Sequence, residues 1–574
     1  MRIERRDTEV YAPTALRAAV RPAGENCTRL LPTRLLLSVI VPVYNQADSI
    51  GTNLQTIHDR IAAGLGEPFE LVVVSDGSID RTEEGLLESR IGSLRVISYD
   101  RNLGKGYAIK VGALSARGRW IAYVDSDLDL DPAAIPRFLE TAQREQLDFA
   151  IGSKRHPDSQ VDYPRSRRIA SGLYQGLVRG LFSLDVRDTQ VGLKVFRREI
   201  ADQVMPLLLV KRFAFDLELL AVSRALGFRR IRELPIALDY RFTGSGVGSV
   251  AVLRALIDTA AIFYRLRILR YYGRKRAILG GDRFQRSLDY QPLVSLITSE
   301  TGMAERLDYP DVEIIRVARD TPSARGEAAR SARGEVLAFL AEGGRPAGNW
   351  ISSALPFLSR SDIAAVVAPV VAPHHGSSLE QAAAAVGESR LGGGSLHFRS
   401  TPGNLRFVRN FPALNVVVRR ADLLEAVGEG VVAEDVCERL AARGKLTLYT
   451  PETVVVTSKS PLFRAHLETV AVYAGLRVES IRRDGWRSVR ASTVGLLALT
   501  PTLAAGAVAI AAGGRARRLG ALPWLGYGAA VGVASAGAAL RFRSPRVGVL
   551  TAGGVVATHA IYTAAFVSRL ARPG

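Results

Sequence analysis

Asp125 and Asp127 stand two residues apart in WIAYVDSDLDLD, directly after an apolar run. On an extended chain leaving a sheet, that spacing puts both carboxylates on one side. Side by side they repel unless a cation lies between or beyond them. Mg2+ or Mn2+ carried on a diphosphate supplies that charge, because hard divalent ions take carboxylate and phosphate oxygens together. The other reading of a D-x-D is a solvated acidic loop; a place at the end of an apolar strand, where open α/β sheets bind ligands, favours the metal. Two more apolar runs end in polar clusters. SVIVPVYN closes on Pro42, Tyr44 and Asn45, and VVVSDGSID sets Asp76, Gly77, Ser78 and Asp80 after the next run. A Gly-containing turn of this kind can bring backbone and carboxylate close to a nucleoside. RNLGKGYAIKVGALSARG then puts Asn102, Lys105 and Gly106 at the start of an expected amphipathic helix, where N–H groups and a lysine suit an anion.

These clusters meet at one edge only if their runs are neighbouring strands. From about residue 35 to 240, SVIVPVY, FELVVVSD, LRVISY, RWIAYVD and LDFAIG alternate with longer amphipathic stretches, the signature of a βαβ parallel sheet. A chain of 574 residues has room for two or three such domains. Hydrophobic residues at 47% and charged residues at 23% exclude wholesale disorder. Two cysteines, Cys27 and Cys437, exclude a disulfide framework and a thiolate metal site. The formal charge of +20 points to a polyanionic partner: nucleic acid, anionic lipid or a phosphorylated substrate. Part of that excess is Arg accompanied by abundant Ala, which a GC-rich genome also produces. Nucleic acid is disfavoured, since the charge is spread along the chain without an aromatic and basic RNA signature.

The expected organisation is an Arg-rich extension over 1–34, a first α/β domain over 35–248, an amphipathic helix over 249–276, a linker over 277–290, a second soluble domain over 291–476 and a membrane region over 477–574. Three stretches near 491–514, 519–540 and 547–568 lack Asp, Glu, Lys and Arg and are long enough to cross about 30 Å of hydrocarbon. Arginines flank them on both sides, so charge orients them weakly. The expectation is a multi-pass protein of the cell membrane with its soluble domains on the cytoplasmic face, because no export signal is seen ahead of them. In 249–276, Leu253, Leu256, Ile257, Ala260, Tyr264 and Ile268 recur at helical spacing, with Arg254, Arg265, Arg267 and Arg270 mostly on other faces. Such a helix can lie among lipid headgroups or pack on the domain.

The second soluble domain contains an echo of the first. SARGRWIAYVDSD at Ser115–Asp127 aligns without a gap on SARGEVLAFLAEG at Ser331–Gly343, and LVSLITS and VEIIRV repeat the first two strands. Ala341, Glu342 and Gly343 stand where Asp125, Ser126 and Asp127 do, and the interval between those two strands is short. Glu434 and Asp435 resemble an acidic acceptor-side block. Donor chemistry is expected in the first domain alone, and the second is read as a pseudo-enzyme module that positions the active domain, the lipid or a partner.

In their order, the polar clusters resemble the nucleotide-sugar domain of family 2 glycosyltransferases, whose fold is GT-A. IGSKR (Ile151–Arg155), DTQVGLKVF (Asp188–Phe196) and RFAFDLELLAV (Arg212–Val222) resemble blocks of the dolichyl-phosphate glucosyltransferase and polyprenyl-phosphate glycosyltransferase branch. The resemblance covers about 35–272. It implies a GT-A catalytic domain, a degenerate GT-A-like second domain and a three-helix membrane region. It also implies that Pro42, Tyr44, Asn45, Asp76 and Ser78 hold the base and ribose, Lys105 lies near the diphosphate, Asp125 contacts the nucleotide sugar and Asp127 ligates Mg2+ or Mn2+. Arg155 and Gln190 would line the acceptor side, and the separate cluster of Arg165, Arg167 and Arg168 either binds the acceptor phosphate or is a solvated charge cluster. Asp188 or Asp216 would face the acceptor, with Asp188 favoured. A lipid phosphate is already anionic at pH 7 and needs alignment and charge neutralisation more than deprotonation.

The resulting expectation is inverting transfer of a hexose from a nucleotide diphosphate sugar, UDP-glucose ahead of GDP-mannose, to polyprenyl phosphate. The alternatives are a glycolipid or cell-envelope polysaccharide acceptor, and a non-catalytic membrane scaffold. A homo-oligomer is compatible with all three.

Overall fold

The computed structural model describes residues 35–572 except 100–101, 162–164, 213, 239–248, 281–289, 303–306, 374–375, 410, 412–414, 429–431, 433–434 and 486–490. In the first domain the elements run β1 (Leu37–Val43), α1 (Ile50–Leu65), β2 (Phe69–Asp76), α2 (Thr82–Leu87), β3 (Leu94–Tyr99), α3 (Lys105–Ser115), β4 (Trp120–Tyr123) and α4 (Ala134–Arg144). There follow β5 (Phe149–Ser153), β6 (Gln160–Val161), α5 (Arg165–Phe182), β7 (Lys194–Arg197), α6 (Arg198–Gln203), α7 (Phe215–Ala225), β8 (Ile231–Pro235) and β9 (Ala237–Leu238). The helices α8 (Ser249–Phe263) and α9 (Tyr271–Leu279) close this half.

The main sheet has the order β3-β2-β1-β4-β7-β5-β8. β1 pairs in parallel with β2 and β4, whereas β7 is antiparallel to β4 and β5. This is the mixed sheet of a GT-A-like fold. The apolar side chains of β1, β2 and β4 pack on Leu54, Ile57 and Ile61 of α1 and on Ile135, Phe138 and Leu139 of α4. That core leaves the polar ends of β1, β2 and β4 side by side at the C-terminal edge, where open sheets bind ligands.

The second sheet is formed by β10 (Val294–Thr298), β11 (Val312–Arg316), α10 (Pro322–Ser331), β12 (Val336–Phe339), β13 (Arg345–Pro346), α11 (Trp350–Leu358) and β14 (Ile363–Val367) with later strands. After β15 (Val370–Val371), α12 (Ser378–Glu388) and α13 (Arg390–Gly393), the chain returns as β16 (Arg406–Val408), β17 (Val416–Arg419), α14 (Arg420–Val427), α15 (Val436–Ala442), β18 (Leu446–Tyr449) and β19 (Val455–Val456). Its order, β11-β10-β12-β17-β14-β18-β16, repeats the first sheet strand for strand from β2 to β8. β17 is antiparallel to both neighbours, as β7 is. A counterpart of β3 is missing among the described residues, an edge strand β16 is added, and no helix is described between β10 and β11.

One buried lock explains the repeated SARG motif. The Ser38 hydroxyl donates to Glu70 at 2.6 Å and accepts from the Gly118 N–H at 2.7 Å, while the Arg117 N–H donates to Glu70 at 2.6 Å. The Ser295 hydroxyl donates to Glu313 at 2.6 Å and accepts from the Gly334 N–H at 2.9 Å, with the Arg333 N–H on Glu313 at 3.1 Å. Both glycines are obligatory: an added Cβ would fall 2.5 Å from the Ser38 nitrogen or 2.7 Å from that of Ser295. Same topology with the same lock identifies the second sheet domain as a diverged copy of the first.

By contacts the chain falls into two units, one running to Val367 and including Asn404–Thr453, the other made of Ala368–Gly403 and Val454–Gly574. Both sheets lie mainly in the first unit. The segment 368–403 is expected from the sequence inside the second domain, yet it groups with the C-terminal region. There Ala382, Ala385 and Val386 of α12 share a core with Ala538, Val547 and Val555. The helices of this unit are α16 (Arg464–Asp484), α17 (Ala491–Ala512), α18 (Gly514–Phe542) and α19 (Pro545–Ala571). The last three contain spans long and apolar enough to cross a membrane, at Thr493–Ala512, Gly514–Phe542 and Pro545–Leu570.

The single helix expected over 249–276 is two helices. α8 passes into a π segment at Tyr264–Ile268, and Arg270, with a φ of 47°, breaks the chain before α9. Thr259 of α8 meets the Tyr174 hydroxyl of α5 at 2.9 Å, and Phe263 stacks edge-on against Phe182. On the outer side Leu253, Leu256, Ile257, Tyr264 and Ile268 are exposed.

Candidate active site

The loops after β1 and β2 are clasped together. Asn45, at a left-handed φ of 52°, donates its N–H to Ser78 Oγ at 3.2 Å and accepts the Ile79 N–H at 3.0 Å. The N–H groups of Gln46 and Ala47 reach Thr82 Oγ1 at 2.7 Å and Asp80 at 3.2 Å. The Pro42 carbonyl accepts the Ser126 hydroxyl at 3.2 Å, joining β1 to the acidic loop after β4, and Tyr44 is exposed.

Asp76 is buried and spent on the neighbouring loop. Its carboxylate accepts the Tyr99 hydroxyl at 2.9 Å and the N–H groups of Leu103 and Gly104 at 2.7 and 2.8 Å. Burial pushes its pKa up although each of these bonds favours the charged form. Asp76 therefore shapes the LGKG loop that ends in Lys105. Gly104 is needed there, with a φ of 105° and room for a Cβ only 2.4 Å from the Lys211 carbonyl oxygen.

Lys105 Nζ lies 2.5 Å from Asp125 Oδ1. Burial acts against its charge, but the carboxylates of Asp125, Asp216 and Asp127 outweigh that and hold the ammonium above the ordinary lysine range. Asp127 is exposed and accepts the Asp129 N–H at 3.2 Å. Desolvation and then the charge of Asp125 raise its pKa. The chain is not extended here: β4 ends at Tyr123, and Leu128 takes a φ of 62°, a costly region for a branched residue and a mark of functional sites. Among the described residues no group of three or more His, Cys, Asp or Glu is gathered into a metal cage. Asp127, a lone exposed carboxylate made uncomfortable by Asp125, fits a hard cation that takes its other oxygens from a diphosphate and water.

Gly192, absent from the expected site, fixes the position of Asp125. A Cβ there would fall 2.2 Å from Asp125 Oδ2, so only glycine lets the DTQVGLK segment cross that carboxylate. On this side Asp188 is buried, accepting the N–H of Lys154 at 3.2 Å and of Gln190 at 3.1 Å. Its own N–H and that of Arg187 donate to Glu233 at 2.8 Å. Asp188 thus holds the turn that presents Gln190, which is exposed. Asp216 Oδ1 accepts from the fully buried Lys194 at 2.6 Å and from the Tyr123 hydroxyl. The Arg155 guanidinium lies near Gly172 of α5. Arg165 and Arg168 begin α5, and their side chains lie outside the described residues. Glu218, two residues beyond Asp216, is a further unexpected hub: it accepts the N–H groups of Leu209 and Val210 at 2.8 Å and the Tyr272 hydroxyl of α9. Gly192 and Glu218 both stand inside sequence blocks already singled out, but their partners are too distant along the chain to be read from it.

With this geometry in hand, residues 38–205 match the family profile of glycosyl transferase family 2. The dolichyl-phosphate beta-glucosyltransferase of Homo sapiens is 34% identical, over 36% of this chain and 68% of that protein. The chain belongs to glycosyl transferase family 2. The glycosyltransferase AglD of Haloferax volcanii is 32% identical over 35% of this chain, and the match spans about a third of the archaeal protein, 32% of its length. The dodecaprenyl-phosphate galacturonate synthase of Rhizobium johnstonii is 28% identical over 46% of this chain and 84% of its own. The matched region of this family 2 glycosyltransferase includes the edge where Asp125, Asp127 and Lys105 meet.

Proposed function

We propose that this enzyme transfers a hexose from a nucleotide diphosphate sugar, UDP-glucose ahead of GDP-mannose, to polyprenyl phosphate at the cytoplasmic face of a cell membrane. The observation that carries the reading is the Asp125–Lys105 pair beside the exposed Asp127. A divalent ion, Mg2+ or Mn2+, held by Asp127 would neutralise charge on the departing nucleoside diphosphate. Lys105 stands ready for the diphosphate, and Asp125, turned by Gly192, for the sugar. Pro42, Tyr44, Asn45, Ser78 and the loop organised by Asp76 receive the nucleoside.

The acceptor phosphate is an anion at pH 7, so the acceptor side has to align it and offset its charge. Arg155, Arg165, Arg168 and Gln190 are assigned to that task. Asp188 acts through the turn it holds, and Asp216 through Lys194 and Tyr123. Attack from the face opposite the leaving diphosphate inverts the sugar. Relatives named for dolichyl phosphate and dodecaprenyl phosphate support a polyprenyl acceptor, and because one is named for glucose and the other for galacturonate, the sugar has to be measured. The exposed apolar residues of α8 and the π segment after it, with Arg254, Arg265 and Arg267, suit the headgroup layer in which such a lipid presents its phosphate.

The test is transfer of label from a panel of nucleotide sugars into organic-extractable lipid, using membranes with wild-type protein or Asp127→Asn, polyprenyl phosphate and Mg2+ or Mn2+. Label in a mild-acid-labile lipid that vanishes in the variant is expected. Transfer into a glycolipid or polysaccharide instead, or from no donor at all, would contradict the acceptor or the enzyme reading.

A further inference from the structure

The sequence suggests that α3 is amphipathic, yet Gly106 to Leu114 are all buried, Lys110 included at 6% exposure. A crossover helix on an open sheet normally keeps a solvated stripe. Here one side rests on the sheet, where Gly112 leaves room for Ile40, and Gly106 sits so close to Phe215 that a Cβ would fall 2.5 Å from it. The rest of its surface is covered in part by residues 198–208 and Phe215 of its own domain and in part by the second copy, through α11 and the turn after β18. The Tyr107 hydroxyl donates to the Pro451 carbonyl, in the turn after β18. Lys110 donates to the Leu208 carbonyl at 3.2 Å; burial pushes its pKa down, and the charges of Glu452 and Glu218 only partly oppose that.

That turn is fastened inside its own domain. Asn349, at the start of α11, donates to the Glu452 carbonyl at 3.1 Å and accepts the Thr453 hydroxyl at 3.1 Å. From Tyr107 the contacts continue into the donor loop. Its ring stands edge-on to Tyr99 at 5.5 Å between centroids, and the Tyr99 hydroxyl is bound to Asp76, which holds the Leu103 and Gly104 N–H groups. Its N–H donates to the Lys211 carbonyl at 3.2 Å, and the Lys211 ammonium lies 5.2 Å from the ring centroid. Tyr107 is two residues from Lys105, on the first turn of the same helix.

We propose that the catalytically silent copy is the outer wall of the donor site, and that Tyr107, anchored on Pro451, is the positioning residue through which it sets Lys105 and the Asp76-bound loop. This rests on the reading of that edge as the nucleotide-sugar site. A wall of this kind explains why the second copy keeps its sheet and its lock after losing its carboxylates.

The test uses full-length protein, comparing Tyr107→Phe and Asn349→Ala with Asp308→Asn. The last weakens the contact between Arg95 and Asp308, 3.6 Å apart, elsewhere between the two copies. Donor KM and the Kd for UDP with Mn2+ should rise about fivefold in Tyr107→Phe, the worth of one hydrogen bond, with kcat within about twofold. Asn349→Ala should show the same split and decides the matter if Tyr107→Phe does not fold. Asp308→Asn should lower the melting temperature and leave donor KM alone. Unchanged donor KM in both Tyr107→Phe and Asn349→Ala, or an equal rise in Asp308→Asn, overturns the proposal and leaves the donor site standing. Wild-type protein that binds neither UDP nor GDP overturns the donor-site reading itself, and the wall with it.

Discussion

At the end of β4 the two copies solve opposite problems with the same scaffold. In the first, Asp125 and Asp127 stand together, one carboxylate met by Lys105 and the other exposed with its pKa raised, the arrangement proposed above to take a cation and a diphosphate. In the second, the corresponding Ala341, Glu342 and Gly343 offer N–H groups that are consumed internally, by Asn415 at 3.0 Å, Asp320 at 3.2 Å and Glu300 at 2.8 Å. Asp320 is also paired through both oxygens with the buried Arg325, at 2.5 and 2.6 Å. Those three N–H groups are therefore occupied by side chains of the same domain, and on the reading proposed above this edge binds no nucleotide diphosphate. The Ser–Glu–Arg–Gly lock is present in both copies, and the paired carboxylates Asp125 and Asp127 in the first alone.

The largest effect that would break this contrast comes from Asp127→Asn, for which sugar transfer should fall about a thousandfold, the scale on which a charge-stabilising group is lost. The reverse change, Ala341→Asp with Gly343→Asp, should create no second nucleotide site, because Asp320 and Arg325 still occupy each other. Appearance of a second site in a binding titration would contradict the account.

Next in size, Gly192→Ala should lower kcat/KM for the donor about thirtyfold, since the new Cβ must displace the Asp125 carboxylate and misplacement by an ångström costs on that order. A melting temperature within a few degrees of wild type would separate this from unfolding. Wild-type kinetics in Gly192→Ala would remove Asp125 from the donor site.

The locks differ in what surrounds them. Glu70 is fully buried with Arg95 at 3.0 Å, so Glu70→Gln leaves the buried guanidinium with only the more distant Asp308 carboxylate at 3.6 Å and should cost about 3 kcal/mol, seen as a lower unfolding midpoint. Glu313 pairs with the exposed Arg333 at 2.8 Å, and Glu313→Gln should cost about 1 kcal/mol. Equal losses would mean the locks carry equal loads.

The smallest effect is a pH dependence. Hydrogen bonds from Ser295 first, then from Arg333, hold the Glu313 pKa down at about 2 from the ordinary 4.5. A depressed carboxylate contributes stability that is full above its unfolded pKa and is lost as pH falls through its folded one. Thermal unfolding of wild type should therefore lose ground between pH 4.5 and about 2, and Glu313→Gln should lose less over the same window.

Much of this edge is legible in the sequence because its signals are local. Asp125 and Asp127 follow an apolar strand, the SARG repeat reveals the second copy, and three uncharged stretches mark the spans later found as α17, α18 and α19. What escapes is whatever depends on partners far along the chain. Asp76 reads as a ligand-facing carboxylate, and its clasp on Leu103 and Gly104 needs the loop between β3 and α3 folded against β2. Gly192 looks like an ordinary strand-entry glycine until Asp125 is seen beside it. The burial of α3 cannot be read from its own composition, since part of its cover, Pro451, lies more than 300 residues away. The break at Arg270 was hidden because the apolar spacing of 249–276 continues through it.

The most direct test of a working copy beside a silent one is the stoichiometry of nucleotide binding. Titrating full-length protein with UDP and with GDP, in Mg2+ or Mn2+, should give one site per chain, lost in Asp127→Asn and retained in Asp320→Ala. Two sites per chain, or one that survives Asp127→Asn, would contradict the account.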